Sequence, residues 1–263
     1  HLITIETEMT ENGEGIIDIA AGASLTIDND LDGNWGSGRG PSQKYGDGEL
    51  RVTGLTKTSQ WRGSFNLRAG ITALEGGFVW YNPYGVGENR SITVFSGATL
   101  RAGGTFEGGP DQGWGEGTCP NLNLNGTLDV FETLTWADGH FNIADAEALE
   151  FELGSSPDVL RYYPQLAGTD GSATPTLTGR SSGTTAITLT AGPGFKAGTY
   201  DLIDWSGAAS INIINLDLAD FVVNAPEGRQ AELKFDNGVS SADAGTTKLQ
   251  VEIKPVGTLF QLY

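Results

Sequence analysis

A period of two dominates the order of hydrophobic and polar positions along this chain. It is visible in LITI (2–5), GIIDI (15–19), SITVF (91–95), NLNL (121–124), AITLT (186–190), YDLIDW (200–205), SINII (210–214) and KLQVEI (248–253). Alternation of this kind predicts half-buried β-strands. Turn-forming pairs punctuate the runs: Asn12-Gly13, Asp32-Gly33, Asn125-Gly126, Asp138-Gly139 and Asn237-Gly238. The one helical candidate is short, residues 144–153. Even there Leu149, Phe151 and Leu153 alternate with Glu150 and Glu152, which favours a strand. Two Gly-rich segments without strand character, 33–48 and 103–120, read as long loops.

A weak internal repeat accompanies the alternation. Gly22-Ala23-Ser24-Leu25 and Gly97-Ala98-Thr99-Leu100 share one pattern, and Gly48-Glu49-Leu50 and Gly126-Thr127-Leu128 are shortened relatives. Units that cannot bury their own apolar face are expected to stack. The expected fold is therefore all-β. Its body, residues 1–150, reads as a β-solenoid of the parallel β-helix kind. A C-terminal β region, 151–263, reads as a β-sandwich or a β-helical cap with a strand-like tail.

The stretch GDGELRVTGLTKTSQWRGSFNLRAGITALEGG (46–77), followed by SITVFSGATLRAGG (91–104), resembles the autotransporter-associated β-strand repeat of bacterial surface proteins. Residues 149–154, 187–204 and 249–253 are similar to the C-terminal region that often follows such repeats. The resemblance covers about 46–253 and contains one full repeat. It implies a β-helical exported surface protein with no known chemistry attached.

Charge and composition narrow the function classes. The 263 residues include 15 Lys and Arg against 33 Asp and Glu, a net charge of −18. Such a surface repels phosphate backbones, which argues against nucleic acid as a partner. No apolar run reaches the ~18 residues of a membrane span. The 39 glycines are about twice the usual share but follow no three-residue period, which excludes collagen. A single Cys builds neither an internal disulfide nor a thiolate metal site. Acidity, scarce Cys and Met, and abundant Thr, Asn and Gly suit an extracellular or cell-surface bacterial protein; the β-like alternation that starts at once after His1 is expected either of a chain whose signal peptide has been removed or of a fragment.

Candidate chemistry is sparse. Gly179-Arg180-Ser181-Ser182-Gly183 has G-x-S-x-G spacing, but a strand-like run follows where a nucleophile elbow needs a helix, so it reads as a turn. His140 reads as a polar hairpin residue. Glu150 and Glu152 share one strand face, roughly 6.6 Å apart at the strand rise, and read either as an acid–base pair or as a solvated face. No basic residue clusters with a carboxylate along the chain.

Asp28, Asp30, Asp32 and Asn34 fit the D-x-D-x-D-G opening of a calcium loop, although Arg39 stands where such a loop ends in Glu. The segment reads equally as an acidic surface turn. Trp35, Tyr45, Trp61, Trp80, Tyr81, Tyr84 and Trp114 lie in or beside the Gly-rich loops. Trp35, Tyr45, Trp61 and Trp114 are the candidate glycan or partner surface; the alternative is that they cap the core. The apolar ends, with Leu2, Ile3 and Ile5 at one and Leu259, Phe260 and Leu262 at the other, are candidate assembly strands. The function expected from these features is non-catalytic: a structural or adhesive surface protein that forms a homo-oligomer or filament. The alternative is a carbohydrate-binding or polysaccharide-active protein.

Overall fold

The computed structural model describes residues 15–28, 31–33, 42–58, 64–80, 91–108, 121–137, 139–164, 175–180, 182–208, 211–243 and 245–256. The protein is all-β, and its strands recur in sets. The first three sets are β1 (Gly15–Asp18), β2 (Ser24–Ile27), β3 (Leu31–Gly33); β4 (Ser42–Tyr45), β5 (Glu49–Val52), β6 (Thr56–Thr58); and β7 (Phe65–Leu67), β8 (Gly70–Leu74), β9 (Phe78–Trp80). Next come β10 (Ser91–Val94) with the long β11 (Ala98–Gly108), and β12 (Asn121–Leu124) with the long β13 (Thr127–Trp136). Then follow β14 (Phe141–Asn142), β15 (Ala148–Leu153), β16 (Val159–Tyr162), and β17 (Thr176–Thr178), β18 (Thr185–Ala191), β19 (Gly198–Asp204). The chain ends in β20 (Asn212–Ile214), a 3-10 turn at Leu218–Asp220, β21 (Phe221–Asn224), β22 (Arg229–Phe235) and β23 (Lys248–Pro255).

Each set pairs in parallel with the next. The first strands form one eight-stranded sheet, β1-β4-β7-β10-β12-β14-β17-β20. The second strands form a ladder β2-β5-β8-β11-β13-β15-β18-β21, and the third strands a ladder β3-β6-β9-β11-β13-β16-β19. β11 and β13 run through both of these ladders. The return to the first sheet takes as few as 19 residues, from Leu122 to Phe141, and as many as 36, from Phe141 to Leu177. Among the described residues the pairing turns antiparallel only near the C-terminal end, where β23 lies between β19 and β22. β15 crosses position 150, where the sequence places the division between body and C-terminal region, and pairs in parallel on both sides.

The alternation explains the core. In β10 and β12, and in β13 on either side of exposed Glu132, every second residue is buried, and these side chains meet those of the facing ladders in one continuous apolar cluster. Register turns like residues into columns. Phe78, Phe106, Trp136 and Tyr162 are successive partners across β9, β11, β13 and β16. The Phe78 and Phe106 rings stack at 5.6 Å and those of Phe106 and Trp136 at 5.0 Å, while Phe141 meets Trp136 edge-on at 5.5 Å. Each such pair contributes about 0.5–1.5 kcal/mol beyond its buried area. The Gly-Ala-Ser/Thr-Leu repeats fall into the same order, with Leu25 opposite Leu50 and Leu100 opposite Leu128.

Segment 33–48 departs from the loop expected for it, because Ser42–Tyr45 is a strand of the first sheet. Its buried residues are polar, so alternation does not reveal it. Lys44 is fully buried, and its ammonium donates to the carbonyls of Gly46 at 2.7 Å, Gly48 at 2.6 Å and Ala69 at 2.8 Å. Three acceptors make the buried charge tolerable. The space is tight: a Cβ on Gly70, which sits at φ +64°, would lie 2.6 Å from Lys44 Nζ and 2.4 Å from the Gly48 oxygen. Segment 103–120 is likewise not all loop, since β11 continues to Gly108. The expected strand at 149–153 is present as β15. Among the described residues no helix is long and apolar enough to cross a membrane.

Candidate functional site

Parallel register brings together charged residues that are far apart in sequence. On the outer face of the second ladder, Arg101, Asp129, Glu150 and Thr188 are successive partners on β11, β13, β15 and β18. Two positions along, Glu152 stands opposite Thr190. Arg51 forms a two-pronged pair with Glu75 at 3.1 and 2.9 Å. Arg101 Nε lies 3.6 Å from Glu75 and 3.7 Å from Asp129, with its guanidinium 4.8 Å from the centre of the Phe131 ring. The expectation that no basic residue meets a carboxylate is therefore overturned. The pairs are 24 to 28 residues apart in the chain, and only sheet register unites them.

A bulge shapes one wall. Ala102 pairs with Val130 but Gly104 with Leu134, so residues 131–133 of β13 loop outward past a single residue of β11. Glu132 at their centre adopts φ +56°, a left-handed conformation that costs a non-glycine residue. Asp158 holds it. Its carboxylate accepts the Glu132 N–H at 2.7 Å with one oxygen and the Glu152 N–H with the other. The resulting groove encloses about 960 Å³, with Asp129, Glu132, Glu150, Glu152 and Asp158 along it and Arg101 as the one basic group among the described residues that line it.

Burial and crowding raise the proton affinity of Asp129, Glu150 and Asp158. Burial pushes Asp158 up to about 6, against the opposing effect of its two backbone N–H donors. Burial raises Glu150, and the neighbouring Asp129 adds to it. Burial also raises Asp129, with Arg101 acting in the opposite direction. Glu150 stands beside Asp129 with no cation partner of its own among the described residues, a local cost that the fold does not need.

Glu150 and Glu152 do share the outer face of β15. Tyr45 is not on a loop but ends β4, with its hydroxyl donating to Gln43 at 2.9 Å. Trp80 lies at the end of β9. Trp35, Trp61, Tyr81, Tyr84 and Trp114 lie outside the described residues, as do the end residues Leu2, Ile3, Ile5, Leu259, Phe260 and Leu262. Of the calcium candidates, Asp28 is exposed, Asp30 and Asn34 lie outside the described residues, and Asp32 belongs to the extended β3 opposite Lys57 rather than to a turn.

His140 is not at a hairpin tip. Its Nδ1 accepts the Thr176 N–H at 3.1 Å and its backbone N–H donates to Asn121 at 2.8 Å, so it links neighbouring strand sets. Arg180 closes its own turn, donating to Ser182 at 2.6 Å and to Ala146 at 2.8 Å, and β18 follows, as the turn reading requires. Asp129 and Asp158 had no motif to announce them. No protein-family model, no curated protein and no solved structure matches this chain.

Proposed function

We propose that the chain is a β-solenoid scaffold of an exported bacterial surface protein, non-catalytic, that assembles or adheres through its strand edges. One observation carries this reading. Among the described residues the last parallel strands, β20 and β21, each have one paired neighbour, and Ile214 and Val222 on them are 37% and 51% exposed. An edge of unpaired N–H and C=O groups flanked by apolar side chains is a template for another strand. Repeated head to tail, such pairing makes an open filament. The net charge of −18 opposes association, so assembly strengthens as salt screens it. Calcium at Asp28, Asp30, Asp32 and Asn34 belongs to the same reading, and a chelator that lowers the melting temperature would support it.

The test is sedimentation velocity over a range of protein and salt concentrations. The native chain forms multimers that grow with both, and Ile214→Lys with Val222→Lys leaves a folded monomer. A native chain that stays monomeric throughout overturns the reading.

A further inference from the structure

We propose that the groove over β11, β13, β15 and β18 is a binding site for a linear amino-sugar oligosaccharide, a polyhydroxylated chain bearing protonated amines. This goes beyond the scaffold reading and does not depend on it.

The cavity comes first. About 960 Å³ of concave space lies on an outer sheet face whose inner side is fully packed, so the void is not a defect of the core. It is the size of a ligand cleft. Its walls are built rather than fluid: β15 and β18 pair over six residues, and the Phe131–Thr133 bulge is tied back through Asp158.

The lining then selects the ligand. Five carboxylates face one guanidinium, and that guanidinium is already engaged with Glu75, Asp129 and Phe131. Glu132, Glu150 and Glu152 have no cation partner among the described residues. An acidic glycan is repelled, and a ligand bearing amines supplies the missing charge. Ser155, Ser156, Thr188 and Thr190 add hydroxyls on the far wall, each able to donate and accept. Sugar hydroxyls need both kinds of partner, whereas a lysine-rich peptide brings ammonium groups that only donate. The spacing fits as well. Asp129 and Glu150 sit on adjacent strands, about 4.8 Å apart, so these two acidic positions are separated by an interval of the order of one sugar ring.

The test is isothermal titration at about pH 5.5, well below the α-amino range of about 7.7–8.0 so that the weaker sugar amines are also protonated, with three probes: a glucosamine hexamer, a glucose hexamer and hexalysine. The glucosamine hexamer binds, and the other two bind at least about tenfold more weakly. Asp129→Asn with Glu150→Gln weakens the glucosamine hexamer at least about tenfold, while Glu252→Gln on β23, outside the groove, leaves it unchanged. The substitutions remove the repulsion between Asp129 and Glu150, and Arg101 keeps Glu75 as a partner, so the variant folds and its far-ultraviolet spectrum matches the native one. The proposal is overturned if the glucosamine hexamer does not bind, if either other probe binds as tightly, or if the double variant binds like the native chain.

Discussion

The Asp158 carboxylate accepts the backbone N–H of Glu132 at 2.7 Å, so a buried acid of one strand connection holds the left-handed residue of a bulge 26 positions earlier. Asp158→Asn keeps the shape but turns an amide towards one of two buried N–H groups, a loss of about 1–3 kcal/mol. The pH dependence follows from its proton. Asp158 ordinarily titrates at 3.8 and is raised to about 6 in the folded chain. Its contribution to stability is therefore complete below about pH 4 and is lost as pH rises through about 6. Urea unfolding between these pH values shows a downward slope in the native chain that is shallower in Asp158→Asn, where only Asp129 and Glu150 still contribute to it. Equal slopes in the two proteins contradict the assignment.

Glu150→Gln makes the protein more stable at neutral pH. Asp129 stands in register beside Glu150, and neither burial nor that neighbour favours the Glu150 charge. A raised folded value means that stability is lost as pH rises, and the neutral amide escapes the loss. The gain is a few tenths to about 1 kcal/mol at pH 7, the scale of like-charge cross-strand pairs. It vanishes under acid conditions, where Glu150 is already protonated. Urea midpoints at the two pH values decide it.

Lys44→Met is severely destabilising although it places an apolar residue in the core. The substitution strips the carbonyls of Gly46, Gly48 and Ala69 of their shared donor, a loss of at least about 3 kcal/mol. Lys234→Met, which removes an exposed ammonium 3.8 Å from Glu252, changes stability by no more than about 0.5 kcal/mol. Comparable urea midpoints for the two variants would show that Lys44 is not the staple described.

Within the aromatic column, size and polarity separate. Phe106→Ala opens a void between Phe78 and Trp136 and costs about 3–5 kcal/mol. Trp136→Phe costs less than half of that, because the buried indole N–H has no hydrogen-bond partner among the described residues and its loss offsets part of the lost volume. Calorimetric unfolding of both variants gives the order.

The period-two runs made the strands legible wherever their buried face is apolar, as in β10, β12, β18 and β23. They could not announce β4, whose buried residues are Ser42, Gln43 and Lys44. They were also silent on pairing direction, since side chains alternate alike in parallel and antiparallel ladders. The Gly-Ala-Ser/Thr-Leu repeats held that information: Leu25 and Leu50, and Leu100 and Leu128, are partners in one ladder. The groove was half visible. Glu150 and Glu152 announced a common face, but Arg101 and Asp129 reach it through register, and Asp158 through a backbone contact that no spacing encodes.

The parallel stack itself is tested most directly by methyl–methyl nuclear Overhauser contacts in deuterated protein with labelled Ile, Leu and Val. Strong contacts are expected for Ile92 with Leu122, Val94 with Leu124, Leu100 with Leu128 and Leu149 with Ile187, each pair on adjacent parallel strands. Absence of these contacts, together with contacts pairing β12 and β13 as a hairpin, would contradict the parallel stack.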